Sequence, residues 1–203
     1  MKIALVGATG NVGSRILKEA LNRGHQVTAI VRNPERLPQY PNLASRKGDI
    51  SRGAAAAALL AGHDAVISSV RFKDVGARPL IEAVRAAGVK RLLVVGGAGT
   101  LEVAPGVQLL DTPQFPAAYK PEASAGREFL AALRSAQDLE WTYLSPSALL
   151  VAGERTGKFR VGGDQLLQDA AGESKISMED LAVAMIDELE KPRHVRRRFT
   201  VGY

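Results

Sequence analysis

Gly7-Ala8-Thr9-Gly10-Asn11-Val12-Gly13 decides the fold of this chain, because of what stands on either side of it. Lys2–Val6 is an apolar run with the Val, Ile and Leu bias of a strand covered on both faces. From Val12 to Arg23 the pattern changes: Ile16, Leu17, Ala20 and Leu21 recur at helical spacing, and Gly24 stands just past the C-cap. A strand that runs into a glycine turn and straight on into a helix gives a glycine motif meaning. Gly7 permits the sharp exit from the strand. Gly10 lets the backbone approach a pyrophosphate with no Cβ in the way, and Gly13 lets the helix lie close against the strand. Free N–H groups and the positive end of the helix dipole then face an anion. Gly7, Thr9, Gly10, Asn11, Val12 and Gly13 are therefore expected to bind a dinucleotide.

Outward from this unit the same alternation continues. Further strands are predicted at Gln26–Val31, Ala65–Val70, Arg91–Val95, Trp141–Leu144 and Phe199–Gly202, with a short one near Ala44–Lys47. Helices are predicted at Gly53–Leu60, Pro79–Ala87, Pro121–Ser135 and Met178–Leu189. Pro121 suits a first helical turn. Ser177 with Asp180 three positions on forms a variant capping box for the last helix. Alternating β and α units specify an α/β fold: a Rossmann-type doubly wound parallel sheet. No linker or repeat divides residues 1–203, so a single domain is expected. Two segments, 98–118 and 146–173, break the rhythm. Each follows a strand and so emerges at the carboxyl edge of the sheet, where such folds bind ligands.

Arg32 closes the second strand, nineteen positions after Gly13. A site for NAD usually places Asp or Glu here to accept from the ribose 2′-hydroxyl. An arginine offers a charge-assisted fork to a 2′-phosphate instead, worth about 1.5–3 kcal/mol. NADP(H) is thus the expected cofactor, with NAD(H) the second candidate, and Asn33 adds a donor. Asp49 either borders the adenine or caps the following helix. Ser68 and Ser69 should lie beneath the ribose and pyrophosphate, Gly96 and Gly97 should leave room for the nicotinamide ribose, and Ser145 ends the next strand at the same edge.

Composition excludes several other chemistries. With no cysteine among 203 residues, disulfides, thiolate metal sites and cysteine nucleophiles are out. Hydrophobic and charged residues, at 46% and 24%, are ordinary for a globular chain. A net charge of +6 raises the question of nucleic acid, but the basic residues are scattered apart from Arg193–Arg198, and no aromatics interleave with them. That cluster is read as a solvated turn and the excess charge as a general attraction for anionic ligands. No apolar stretch reaches the roughly 18 residues of a membrane span. Met1-Lys2 leads directly into strand and glycine loop without a signal-like segment. A cytoplasmic monomer or homodimer, without nucleic acid, membrane or metal, is the expectation.

Catalytic residues are harder to find. The Tyr-x-x-x-Lys arrangement, in which lysine depresses the tyrosine pKa for proton exchange with a carbonyl, is absent. The residues four beyond Tyr40, Tyr119 and Tyr143 are Ala44, Ala123 and Ser147, and Tyr203 ends the chain. His25 and His63 precede strands and belong to the amino edge, and His194 follows the last helix. What remains at the carboxyl edge is Thr100, Tyr119 and Lys120. Lys120 would touch the nicotinamide ribose or supply a proton, while Tyr119 or Thr100 would orient a substrate.

The GxxGxxG spacing departs by one residue from the general GxGxxG fingerprint. Together with Val31-Arg32-Asn33-Pro34, Asp64–Ser68, Val94–Val103, Tyr119-Lys120-Pro121-Glu122-Ala123, Trp141–Leu144, Gly157–Arg160 and Ile176–Asp180, it resembles the atypical short-chain dehydrogenase/reductases. The likeness is to the NmrA-like and NADH-flavin reductase type, which includes a flavin reductase that also reduces biliverdin IXβ. The resemblance covers nearly the whole chain. It implies NAD(P)H-dependent reduction of a flavin, quinone or tetrapyrrole held by the two long segments, with Lys120 near the nicotinamide. Such a transfer can draw its proton from solvent and needs mainly proximity. Some relatives sense NADP without turnover, and a sugar epimerase or dehydratase is a third alternative.

Overall fold

In the computed structural model, which describes residues 1–203, the near-continuous apolar runs become one sheet. Its strands are β1 (Lys2–Val6), β2 (Gln26–Val31), β3 (Leu43–Lys47), β4 (Ala65–Ser68), β5 (Arg91–Val95), β8 (Glu140–Ser145), β10 (Arg160–Gly162) and β12 (Arg197–Gly202). Two small pairs stand outside it: β6 (Glu102–Ala104) with β7 (Val107–Gln108), and β9 (Leu149–Val151) with β11 (Lys175–Ser177). The helices are α1 (Asn11–Asn22), α2 (Ala57–Leu60), α3 (Ala77–Ala86), α4 (Lys120–Ser135) and α5 (Met178–Glu190).

The strand order is β10-β12-β8-β5-β4-β1-β2-β3. Every pairing is parallel except β10 with β12. Successive crossovers leave β1 in opposite directions, towards β2 and towards β4, so the order reverses at the carboxyl ends of β1 and β4. This is the doubly wound sheet that the alternating pattern predicts. Side chains of alternate parity fill two cores. Ile3, Leu5, Ile67 and Leu93 pack under α1 and α5, whereas Ala4, Val66, Leu92 and Trp141 pack under α3 and α4.

Helix ends follow their local chemistry. After α1, Gly24 donates to the Leu21 carbonyl and His25 to that of Ala20, closing a Schellman turn. Ser177 caps α5, its Oγ accepting from the Asp180 N–H at 2.9 Å. The other half of the expected capping box is missing. Asp180, fully buried, accepts from the Gly157 N–H (2.8 Å), the Thr156 hydroxyl (2.5 Å) and the Tyr203 hydroxyl (2.9 Å). The Ser177 N–H turns to the Tyr203 hydroxyl instead.

Three further expectations are corrected. The alanine-rich stretch from Gly53 is not one helix: a 3-10 segment over Ile50–Ala56 precedes the single turn of α2, and Gly53 breaks the run with φ +60° and ψ −134°. β4 stops at Ser68, so Ser69 and Val70 belong to the segment beyond it. The two long segments are not bare loops. Segment 98–118 carries the β6–β7 hairpin, and segment 146–173 contributes β9 and β10. The latter is fastened across α1 and α5 by Arg155, which makes two bonds to the buried Glu19 (2.7 and 2.8 Å), and by the Asp180 contacts.

Candidate functional site: a dinucleotide cleft at the carboxyl edge

At the reversal point a cleft of about 580 Å³ opens along the carboxyl ends of β2, β1, β4 and β5. Its lining gathers Gly7, Thr9, Gly10, Asn11, Val12, Arg32, Asp49, Ser69 and Gly96, all singled out in the sequence. Four strands spaced about 4.8 Å apart set its length at roughly 14 Å, which suits an extended dinucleotide.

The glycine loop has the shape of a phosphate cradle. Gly7 turns with φ +86°, and a Cβ there would lie 2.4 Å from the Ser69 carbonyl oxygen. At Gly13 a Cβ would stand 2.0 Å from the Gly7 oxygen, so the absence of a side chain seats α1 on β1. Gly10 differs. It has an ordinary φ of −76°, is exposed, and its Cβ would meet only the Gly7 oxygen, at 3.3 Å. Nothing inside the chain demands glycine as strongly there; the space that a Cβ would fill belongs to whatever occupies the cleft. No side chain caps α1, so the N–H groups of its first turn point outward without intrahelical partners. Residues and cradle fit a bound pyrophosphate.

At the β2 end, Arg32 is exposed, and no acceptor in the chain takes its guanidinium. Asp49 lines the cleft, and it also fills the capping role: its Oδ1 accepts from the Ser51 N–H at 2.9 Å at the start of the 3-10 segment. Ser51, followed by the charges of Arg32 and Arg52, holds the Asp49 carboxyl below its ordinary value. Asn33 stays exposed beside the rim without joining the wall.

At the β5 end several expectations are corrected. Ser69, just beyond β4, borders the cleft, whereas Ser68, the last residue of β4, is buried in the sheet. Gly96 borders the cleft, yet the room beside it is taken: a Cβ there would lie 2.2 Å from the Tyr143 ring. The Tyr143 hydroxyl accepts from the Gly97 N–H at 3.2 Å, which makes Gly97 part of this packing rather than of the wall. Burial pushes the Tyr143 phenol up, away from use as an acid near neutrality. Ser145 is wholly buried, with Oγ unpartnered and outside the cleft. Thr100 is also buried, and its hydroxyl and carbonyl accept from Arg198 at 2.9 and 2.8 Å. It ties β12 to the 98–100 turn and is not positioned to orient a substrate. Arg198 itself leaves the expected solvated turn, because its side chain is 4% exposed and also pairs with Asp164. Tyr119 and Lys120 stand exposed where α4 begins, outside the cleft lining.

Sequence reasoning missed a further stretch of the cleft wall. Val70, Arg71, Phe72, Asp74 and Val75, in the segment after β4, line it together with Glu122 of α4 and Leu150 of β9. Phe72 is held by Phe129 and Tyr143, at ring-centroid distances of 5.0 and 6.1 Å. The length of that segment, between a strand ending in Ser68 and a helix starting at Ala77, was the available signal. No part of 98–118 borders the cleft.

A family described as NAD(P)H-binding matches residues 7–192, spanning every part of this wall. The chain belongs to that family. Three solved structures of proteins with putative assignments cover all of it. An exported protein from Burkholderia pseudomallei is 50% identical with a TM-score of 0.91, and the match takes in 100% of that chain. An epimerase from Bacteroides thetaiotaomicron is 43% identical with a TM-score of 0.95 over 96% of its length. An NADH-flavin reductase from Streptococcus pneumoniae is 35% identical with a TM-score of 0.85 over 99%. The cleft at the sheet's carboxyl edge is thus that of an NAD(P)H-binding protein with a Rossmann-type fold. No helix is long and apolar enough to cross a membrane.

Proposed function

We propose that this protein is an NADPH-preferring reductase that passes hydride to a flavin or a similar conjugated acceptor. The observation that carries the cofactor choice is Arg32: exposed at the cleft rim, free of any acceptor in the chain, where a 2′-phosphate would lie. When bound, a dihydronicotinamide supplies the hydride. The chain supplies the cradle at Gly7–Gly13, the cation at Arg32, and an apolar shelf of Val70, Phe72, Val75, Val95 and Leu150 at the β5 end. Such a shelf positions a planar ring and keeps water from its face. No tyrosine–lysine pair lies in the cleft, in keeping with an acceptor that takes its proton from solvent. Lys120 and Tyr119, exposed on the β5 side, are offered as contacts for the acceptor. The likeness to a Streptococcus pneumoniae protein assigned as an NADH-flavin reductase supports the acceptor class.

NADPH oxidation measured with FMN, FAD, riboflavin, biliverdin and quinones in turn tests this reading. Turnover on at least one of them is expected. Tight NADPH binding with no turnover on any would favour a nucleotide sensor. Arg32→Asp is expected to weaken NADPH binding tenfold to a hundredfold, on the order of 1.5–3 kcal/mol, while sparing NADH. Equal loss of both nucleotides would refute the assignment of Arg32.

A further inference from the structure

Glu122 is the one carboxylate of α4 that borders the cleft, and it does not point there unengaged. Its Oε1 accepts from the Phe72 N–H at 2.6 Å and its Oε2 from the Lys73 N–H at 3.2 Å. One carboxylate thus clasps two successive amides of the segment that follows β4. That segment supplies six of the cleft's lining residues, Ser69 to Phe72 with Asp74 and Val75, and it starts directly against the glycine loop, where a Cβ at Gly7 would lie 2.4 Å from the Ser69 carbonyl oxygen.

The rest of the segment is held in complementary ways. The Phe72 ring is packed between Phe129 and Tyr143. Gly126, one turn beyond Glu122 on the same helix, leaves the space that this ring uses: a Cβ there would lie 2.9 Å from it. The outer arc is closed by backbone bonds from the Asp74 and Val75 N–H groups to the Arg71 carbonyl, at 3.0 and 3.1 Å, and by the exposed pair Arg71–Asp74, which water screens. The ring fixes where the segment crosses α4, and the carboxylate fixes how its backbone is turned. Charge-assisted bonds to backbone N–H groups are the strong class of hydrogen bond; the one from Phe72 is partly shielded from water, and the one from Lys73 is exposed.

We infer that Glu122 is a positioning residue for nucleotide binding: by clasping the Phe72 and Lys73 amides it sets the wall on which the nicotinamide half of the cofactor rests. The inference rests on the proposed function for the identity of the ligand, but not for the clasp itself. Each Glu122 oxygen accepts one amide N–H, so the role inferred is to hold the backbone and not to move a proton.

Glu122→Ala and Glu122→Gln are the variants, the second keeping the side-chain length and one acceptor oxygen. Amide hydrogen exchange at Phe72 and Lys73, followed without nucleotide, is expected to speed up at least tenfold in Glu122→Ala and by less in Glu122→Gln. Titration of NADPH by its own fluorescence should show the Kd rising about tenfold in Glu122→Ala, with partial rescue by Glu122→Gln. With an acceptor, KM for NADPH should rise in parallel while kcat stays within about twofold. Unchanged exchange at these amides would overturn the inference, and so would a collapse of kcat at unchanged KM, which would make Glu122 catalytic. Altered exchange and Kd without turnover on any acceptor would remove the reductase reading and leave the positioning role standing. Failure of the wild-type protein to bind either nucleotide would remove both.

Discussion

The two edges of the central sheet treat polar groups in opposite ways. At the amino edge, buried Glu188 near the end of α5 accepts from five groups. They are the Arg91 guanidinium (3.1 Å), the Thr142 hydroxyl (3.3 Å), the Arg193 N–H (3.2 Å), the His194 N–H (2.9 Å) and the His194 imidazole (2.8 Å). His25 is likewise taken up, between the N-terminal amine at 3.3 Å and Glu190 at 3.0 Å. At the carboxyl edge the first turn of α1 has no capping side chain, and Arg32 has no acceptor. Buried polar groups must be paired because an unpaired one costs its full desolvation. Donors left open on a concave, solvated surface bear no such cost and remain available to a ligand. The amino edge therefore holds the fold, and the carboxyl edge is where binding is possible.

Breaking the amino edge should have the largest effect. Glu188→Ala strips Arg91, 94% buried by its 6% exposure, of its carboxylate. Removing one partner of a buried pair costs about 3–5 kcal/mol, which for a chain of this size lowers Tm on the order of 10 °C. Nucleotide affinity of the folded protein should stay within twofold. A stability loss under 1 kcal/mol, or a parallel loss of affinity, would dissolve the division of labour between the edges.

Within the carboxyl edge the comparison narrows to two glycines three residues apart. Gly13→Ala places a methyl group 2.0 Å from backbone oxygen, so the loop or α1 must shift, and both thermal stability and NADPH binding should fall. Gly10→Ala meets only one protein atom at 3.3 Å. It should leave Tm within about 2 °C, a change below about 1 kcal/mol, while the new methyl group raises the Kd for NADPH more than tenfold. Titration and melting curves of both variants check this. Full-strength binding by Gly10→Ala would remove the pyrophosphate from that position.

Legibility in the sequence divides along a similar line. β1, β2 and β5 fall on the residues that their apolar runs mark, because burial on both faces leaves its signature in consecutive residues. The glycine loop and Arg32 are equally local: each depends on its position relative to the end of a strand. Contacts across long stretches of chain are invisible at that level. Nothing near Gly96 says that Tyr143, 47 positions on, fills its space, or that Thr100 is claimed by Arg198. Glu122 and Phe72 meet across 50 residues through the packing of α4 against the β4 end. The burial of Ser68 was within reach, since a strand covered on both faces hides every residue along its length. The break at Gly53 was not, because an alanine-rich run carries high helix propensity whether or not its first glycine adopts a left-handed φ.

The smallest expected effect lies between the edges, at the strap over α1 and α5. Arg155 meets Glu19 through two bonds, but it is 54% exposed, and Glu19 keeps Arg23 at 2.7 Å when Arg155 is removed. Arg155→Ala should therefore cost only about 1 kcal/mol at neutral pH, in the range of a partly screened pair. Its pH dependence tells more than its size. The Arg155 bond, opposed by burial and assisted by Arg23, holds the Glu19 carboxyl below its ordinary 4.5. A carboxylate with a depressed native pKa contributes stability that is complete above its unfolded value and is lost as pH falls through the native one. The gap between wild type and Arg155→Ala should thus be constant from pH 7 down to about 5, then close as Glu19 protonates and the charge that Arg155 contacts disappears. Denaturant titrations at stepped pH follow that gap directly. A gap that persists undiminished in acid would mean that Arg155 acts through packing of its stem over α1, and the strap would then owe nothing to charge.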